Sequence, residues 1–280
     1  MQYGWHVINN YLYYFNENNG DLDCGKTLVN IWRNIINNYS IPISIAVQSK
    51  RDGRVYSFTN NSGHRWRMAS TVKVSVLAQL LHNTSGHLDG YHQQLANSMI
   101  RYSDNNATQT IVDNYLGGNM NLKYIFSALG MNQTTASWHW GSSTTVAEDR
   151  LKLLNEIYML KDHKYLNQES CNYIAGLIHS VTPSQQWGIS SGSSNYFVKN
   201  GWVPDPQTHW CVNSIGYIPR NGNDGYTIAI YSDYNISMQE GISIDERLAY
   251  ATSRVLALCQ SVLIANFDQF KQLVCLGWFF

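Results

Sequence analysis

Ser70-Thr71-Val72-Lys73 sets a hydroxyl and an amine three residues apart at the start of a segment with helical spacing of apolar residues, at Val72, Val76, Leu77, Leu80 and Leu81. On a helix, residues i and i+3 share a face. A serine hydroxyl is a weak nucleophile at neutral pH and needs a base within hydrogen-bond reach. A lysine buried beside other cations can lose its proton far below its solution range and serve as that base. Ser70 opens the helix, so backbone N–H groups without intrahelical partners surround it and can meet a developing oxyanion. Tyr102-Ser103-Asp104-Asn105 follows between two helical segments, and Lys199-Asn200-Gly201-Trp202 ends a strand. Ser103 would pass a proton to a leaving nitrogen, and Asn105 would hold a substrate amide. Lys199 would place positive charge beside Ser103 and attract a carboxylate, while Gly201 lets a ligand backbone approach the strand. Each motif has a plainer reading. Ser70 and Lys73 could be surface residues, Asp104 or Asn105 a helix N-cap, and Lys199 to Gly201 a strand end before Pro204. Taken together and in this order, the three describe acyl transfer on amide-like substrates.

The elements that must position these groups can be read along the chain. Residues 3–25 bracket Asn-Asn turns with aromatics (Tyr3, Trp5, Tyr11, Tyr13, Tyr14, Phe15), which predicts a short β-hairpin. Helical spacing covers Thr27 to Tyr39, Ser70 to His82, Tyr91 to Arg101, Ala107 to Leu116, Leu122 to Leu129 and Gln168 to His179. Strands are expected at Ile41 to Gln48, Val55 to Thr59, Tyr196 to Lys199, Cys211 to Ile218 and Tyr226 to Tyr231, with a turn at Asn221 to Gly225. Capping boxes at Thr145 to Glu148 and Ser243 to Glu246 would start helices running to about Leu160 and Ile264. Two early strands, a helical block, three late strands and helices at both ends make an α+β fold: an antiparallel five-stranded sheet flanked by helices, with a mostly helical subdomain. The organisation reads as a hairpin over residues 1–26, a main domain over 27–268 and an apolar tail over 269–280.

Composition narrows the partners. The chain has 280 residues, enough for one large core, and its formal net charge of zero gives no electrostatic case for nucleic acid or an anionic membrane. Arg65-Trp66-Arg67 reads as solvated charge around a packed Trp. The apolar stretch from Val255 to Phe267 is broken by Gln260, Ser261 and Asn266, so no membrane span is expected. The first residues lack the basic start and apolar run of an export signal. The five cysteines, at 24, 171, 211, 259 and 275, form no C-x-x-C pair and read mostly as buried thiols rather than a disulfide framework. The nine histidines show no metal spacing, and neither metal nor cofactor is expected.

The three motifs resemble those of the penicillin-recognising serine enzymes, the class A β-lactamases and the related D-alanyl peptidases that shape peptidoglycan. The similarity covers roughly Thr27 to Ile264. It includes Thr144-Thr145, the helix through Leu153-Leu154, the Gln186 to Ile189 segment and Trp210 to Tyr217. The resemblance implies a β-lactamase/transpeptidase-like fold. It implies Ser70 as the acylated nucleophile, Lys73 as its activating partner, Ser103 as shuttle and Lys199 as carboxylate anchor. Asn105, Asn200, Gly201 and Trp202 become substrate contacts, with the backbone N–H groups of Ser70 and Trp202 as oxyanion hole. Residues 3–25, with Gly4-Trp5, then Tyr13-Tyr14-Phe15, then Gly20, resemble one unit of the aromatic cell-wall-binding repeats of Gram-positive surface proteins. A hairpin packed on the main domain is the equal alternative.

Three departures from the class A pattern shape the functional expectation. No Asp or Glu occurs between Asp113 and Glu148, where those enzymes carry the glutamate that activates the deacylating water. The corresponding loop, about Met131 to Ser143, offers His139 between Trp138 and Trp140, and Glu148 fits a capping box better than catalysis. Asn200 stands where a Thr or Ser is usual. The stretch between Lys73 and Ser103 is short, which implies a more open rim. The leading expectation is therefore a monomeric serine hydrolase of the bacterial cell envelope. It acylates Ser70 with a small-molecule or peptide substrate, peptidoglycan-derived or β-lactam, and deacylates slowly. The alternatives are a genuine β-lactamase using His139 or a lysine-activated water, and a non-catalytic wall-binding module on the same fold.

Overall fold

The computed structural model of the chain describes residues 2–8, 11–205, 209–221 and 224–261. Its elements, in order, are strands β1 (Gly4–Ile8) and β2 (Tyr11–Phe15), helix α1 (Cys24–Ile36), and strands β3 (Ile43–Ser49), β4 (Val55–Thr59) and β5 (Trp66–Arg67). Helices α2 (Lys73–Asn83), α3 (Gly90–Arg101), α4 (Asn105–Tyr115) and α5 (Lys123–Ala128) follow. Then come β6 (Thr144–Thr145), α6 (Ala147–Tyr158), α7 (Gln168–His179), β7 (Phe197–Asp205), β8 (His209–Ile218), β9 (Tyr226–Asn235) and α8 (Met238–Ser261).

Period-two burial assembles the sheet. Its strands are antiparallel in the order β4-β3-β9-β8-β7, with β7 at one edge. Ile43, Ile45 and Val47 of β3 and Ile228 and Ile230 of β9 face one core with α1 and α8. The intervening Ala46, Ala229 and Tyr231 face the other, beneath α2, α3, α4, α6 and α7. The expected α+β layering is thus present, with the five strands in one sheet. Strands β5 and β6, too short to announce themselves by periodicity, form a separate pair that brings Trp66 opposite Thr145 and Arg67 opposite Thr144.

The N-terminal hairpin forms in register, Gly4 against Phe15 through Ile8 against Tyr11. Tyr13 and Phe15 enter the core shared by α1 and α8, while Trp5 and Val7 stay exposed on the other face. Neither expected capping box forms. Helix α6 starts after Val146 with no side-chain cap. Thr145 is committed to β6 and its hydroxyl meets Thr134 Oγ1 at 2.7 Å, so it cannot reach the helix. Asp149, in the first turn of α6, ties the helix to the preceding loop by accepting from Gln133 N–H and Thr134 Oγ1–H at 2.7 and 2.9 Å. Helix α8 begins five residues earlier than Ser243. Ser237 Oγ accepts from Glu240 N–H at 3.1 Å while Glu240 Oε2 accepts from Ile236 N–H at 2.7 Å.

The cysteine reading is corrected in part. Cys171 and Cys211 are buried thiols, but Cys24 and Cys259 form a disulfide with Cα atoms 6.1 Å apart. A separation of 235 residues hid the pairing, because no local spacing marks it. Cys275, the 269–280 tail and residues 222–223 of the expected Asn221–Gly225 turn lie outside the described residues. Among the described residues no helix is long and apolar enough to cross a membrane. The bridge ties the first turn of α1 to the last turns of α8 and closes most of the chain into one loop. Replacing both Cys24 and Cys259 by Ser is expected to lower unfolding stability by about 4 kcal/mol. Urea titration of variant and wild type measures this, and an unchanged midpoint would contradict it.

Candidate active site

The turn that carries Ser70, the candidate nucleophile turn, is a one-turn 3-10 segment, residues 69–72, that runs into α2. Ala69 has φ +45°, a left-handed value that L residues adopt only under constraint. Four contacts supply that constraint. Asn213 Nδ2 on β8 donates to Arg67 O at 2.9 Å and to Met68 O at 3.3 Å. The fully buried Arg150 of α6 donates to Thr71 O at 3.1 Å and to Ser75 Oγ at 2.8 Å. Thr71 Oγ1 donates to Met68 O at 2.7 Å and lies 3.1 Å from Tyr231 OH. Met68 N–H donates to Ser143 O at 2.8 Å. The turn is therefore fixed from the sheet, from α6 and from the loop before β6.

Ser70 is half-buried and lines a cavity of about 150 Å³ with Ala69, Asn105, Trp140 and Trp202. Lys73, the first residue of α2, is fully buried. Its Nζ donates to Ser103 O at 2.6 Å, Ser103 Oγ at 3.1 Å and Asn105 Oδ1 at 2.8 Å. Lys199 of β7, also buried, donates to the same Ser103 Oγ at 3.0 Å and to Asn200 O at 3.0 Å. Ser103 has φ +57°, which turns both its carbonyl and its hydroxyl toward the amine. Asp104 caps α4, accepting from Ala107 N–H at 2.7 Å, so the plainer reading holds for this one residue of the motif.

Burial sets the electrostatics. It lowers Lys73 to about 7, partly opposed by the Asp104 carboxylate. It also holds Lys199 well below the ordinary lysine range, and the charge of Lys73 adds to that effect. Burial and the proximity of two amines that share one hydroxyl both favour loss of a proton from the pair.

The structure brings Ser70, Lys73, Ser103, Asn105, Lys199, Gly201 and Trp202 to one place. The Asn200 side chain is directed elsewhere. It is buried, and its Nδ2 donates to Gln185 O and Trp187 O at 2.9 Å each, tying the loop before β7 to the strand. It is not among the residues that line the cavity. Gly201 has a steric reason to be glycine. A Cβ there would meet the backbone of the nucleophile turn, 2.7 Å from Thr71 N, 2.8 Å from Ser70 N and 2.9 Å from Met68 O.

Reasoning from sequence missed two residues of the cavity. Arg67 lines it and pairs with Asp233 Oδ1 at 3.3 Å, so it is not simply solvated charge. Trp140 is buried, with its ring 5.0 Å from Lys73 Nζ. The loop position of Trp140 between exposed neighbours gave no periodic signal. Among the described residues lining the cavity, the titratable ones are Arg67 and His139. Glu148 lies in the first turn of α6 and is not among them. Among the described residues no cluster could hold a metal ion.

A model of the beta-lactamase enzyme family matches residues 90–254, more than half of the chain. The chain belongs to that family, among the penicillin-recognising serine enzymes. The match includes Ser103, Asn105 and Lys199 and begins after Ser70 and Lys73. Solved structures with the same fold include a variant of the TLA-1 extended-spectrum beta-lactamase, at 14% identity, 84% of this chain, 99% of that one and a TM-score of 0.72. A class A beta-lactamase from Bacteroides cellulosilyticus DSM 14838 aligns at 12% identity over 83% and 98%, with a TM-score of 0.72. The acyl-enzyme complex of a PBP-A mutant with penicillin G aligns at 16% over 83% and 97%, with a TM-score of 0.69. A comparison with curated proteins finds no match.

Gly201→Ala is expected to destabilise the domain by about 1–3 kcal/mol, since the atoms in its way are backbone and cannot swing aside. Urea unfolding of the variant measures the loss. A midpoint equal to wild type would mean that β7 and the nucleophile turn are not in close contact.

Proposed function

We propose that this chain is a serine hydrolase that forms an acyl-enzyme at Ser70 with an amide-like or β-lactam substrate and releases it slowly. The observation that carries this reading is the convergence of Lys73 and Lys199 on Ser103 Oγ beside the Ser70 cavity. In this scheme neutral Lys73 takes the proton of Ser70 as Oγ bonds to the substrate carbonyl carbon. The carbonyl oxygen, now negative, is met by the N–H groups of Ser70 and Trp202. The proton then returns through Ser103 to the leaving nitrogen as the C–N bond breaks. Asn105 Oδ1 is taken by Lys73, which leaves its Nδ2 to donate to a substrate carbonyl. Lys199 supplies the positive field for a substrate carboxylate. The Asn200 side chain takes no part, being held by the loop backbone.

The slow second step follows from the cavity lining, which carries no carboxylate to activate water. A poised base typically contributes about 10²–10⁴-fold to such a step. Peptidoglycan-derived peptides fit as natural substrates, and the Cys24–Cys259 bridge supports work in an oxidising compartment such as the cell envelope. His139 supports a second reading, true β-lactamase turnover, because it borders the same cavity as Ser70.

Labelling with a fluorescent penicillin or a fluorophosphonate, read by intact mass, tests the proposal. One adduct is expected at Ser70, lost in Ser70→Ala and slowed about 10²–10⁴-fold in Lys73→Ala. An unlabelled wild type would refute the reading. The adduct should persist for minutes. Rapid nitrocefin turnover, abolished by His139→Asn, would favour the second reading instead.

The pH dependence has a definite sign. Lys73 must be neutral to accept a proton, and its folded value lies at about 7. The labelling rate should therefore rise with pH through a midpoint near 7 and level off above it. The same depressed value makes the folded protein bind fewer protons than the unfolded chain between that pH and the ordinary lysine range. Burial of Lys73 thus costs stability below 7, and the cost is relieved as pH rises. A labelling rate that falls with pH over this range would contradict the assigned role.

A further inference from the structure

The three motifs leave the segment from Trp138 to Ser142 without a role. Trp138 is 84% exposed and His139 is exposed, yet Trp140 between them and α6 is 5% exposed. Two hydrogen bonds fix it. Its indole Nε1–H donates to Gln109 Oε1 at 3.1 Å, and its backbone N–H donates to Asn119 Oδ1 at 3.1 Å. Gln109 is itself oriented, because its Nε2 donates to Asp113 Oδ1 at 2.8 Å. The ring so held lies 5.0 Å from Lys73 Nζ, whose three hydrogen bonds go to Ser103 and Asn105. An indole face attracts an ammonium group but cannot take its proton. It also occupies space that water would otherwise use to solvate the amine.

We propose that Trp140 is a positioning residue for Lys73: anchored by Gln109 and Asn119, its indole shuts the amine off from water and keeps it against Ser103 and Asn105, able to take the Ser70 proton. Only the last clause rests on the acyl-transfer reading; the positioning itself does not. The charged groups around Lys73 are Lys199 of β7, which shares Ser103 Oγ, and Asp104 at the start of α4. Arg67 of β5 and His139 border the same cavity. The substitutions below leave all four in place, so a change in Lys73 reports on the indole.

Lys73 can be titrated directly in the full chain by NMR of its ¹³Cε and ¹⁵Nζ nuclei, assigned with Lys73→Ala. Wild type should titrate near 7. Trp140→Ala admits water, so desolvation falls and the midpoint should rise by about one pH unit or more. Loss of the weaker attraction to the ring acts in the other direction but is smaller. Trp140→Phe keeps an aromatic face without the anchor and should fall between the two. Gln109→Leu leaves the indole intact but unpinned and should also raise the midpoint. If Trp140→Ala does not fold, the Phe and Leu variants still decide the matter. A Lys73 midpoint unmoved in every folded variant would overturn the proposal. The readout needs no substrate. A shifted Lys73 with an unlabelled Ser70 would sink the acyl-transfer reading and leave Trp140 its role, and a labelled Ser70 with an unmoved Lys73 would do the reverse.

Discussion

Two buried amines reach for one hydroxyl. Lys73 comes from α2 and Lys199 from β7, and both donate to Ser103 Oγ. Placing two ammonium groups this close and this deep is unfavourable, and the Asp104 carboxylate offsets only part of the cost at Lys73. The site resolves the conflict by oxygen ligands and by loss of charge. Ser103 O, Asn105 Oδ1 and Asn200 O satisfy the N–H donors, and burial drives both amines toward the neutral form. The unusual backbone of Ser103 accompanies this arrangement, in which its carbonyl and hydroxyl both meet one amine.

The turn that carries Ser70 depends on the sheet in a comparable way. β7 is an edge strand, and its outer side meets the turn where Gly201 lets backbone approach backbone. Asn213, paired with Gly201 across β7 and β8, holds the two carbonyls just ahead of Ala69. From beneath, Arg150 and Tyr231 hold Thr71. Strand register, one glycine and three buried polar side chains thus place Ser70 more firmly than its own short 3-10 turn could.

Legibility followed sequence distance and periodicity. Helices α3 and α7 and strand β4 matched their expected bounds closely because apolar spacing is local. The Ser70, Ser103 and Lys199 motifs could be read because they pair residue types that need each other chemically. Asn200 shows the limit. Its amide could serve a substrate or a loop, and only the backbone oxygens of Gln185 and Trp187 decide for the loop. Trp140 was out of reach for a related reason. Its partners Gln109 and Asn119 lie on other segments, and nothing in the order of residues announces an indole over an amine. Cap chemistry failed where tertiary pairing claimed the residue first, as β6 claimed Thr145.

The Cys24–Cys259 bridge has a mechanical meaning. It spans the base of the sheet–helix core, so every catalytic candidate lies on the stretch of chain between its two ends. A pull applied to the two termini would pass from the segment before Cys24 directly into the segment after Cys259 through covalent bonds. The folded loop between them would bear no tension. A chain tethered at one end and strained at the other could therefore keep its active centre undistorted while its flanks were stretched.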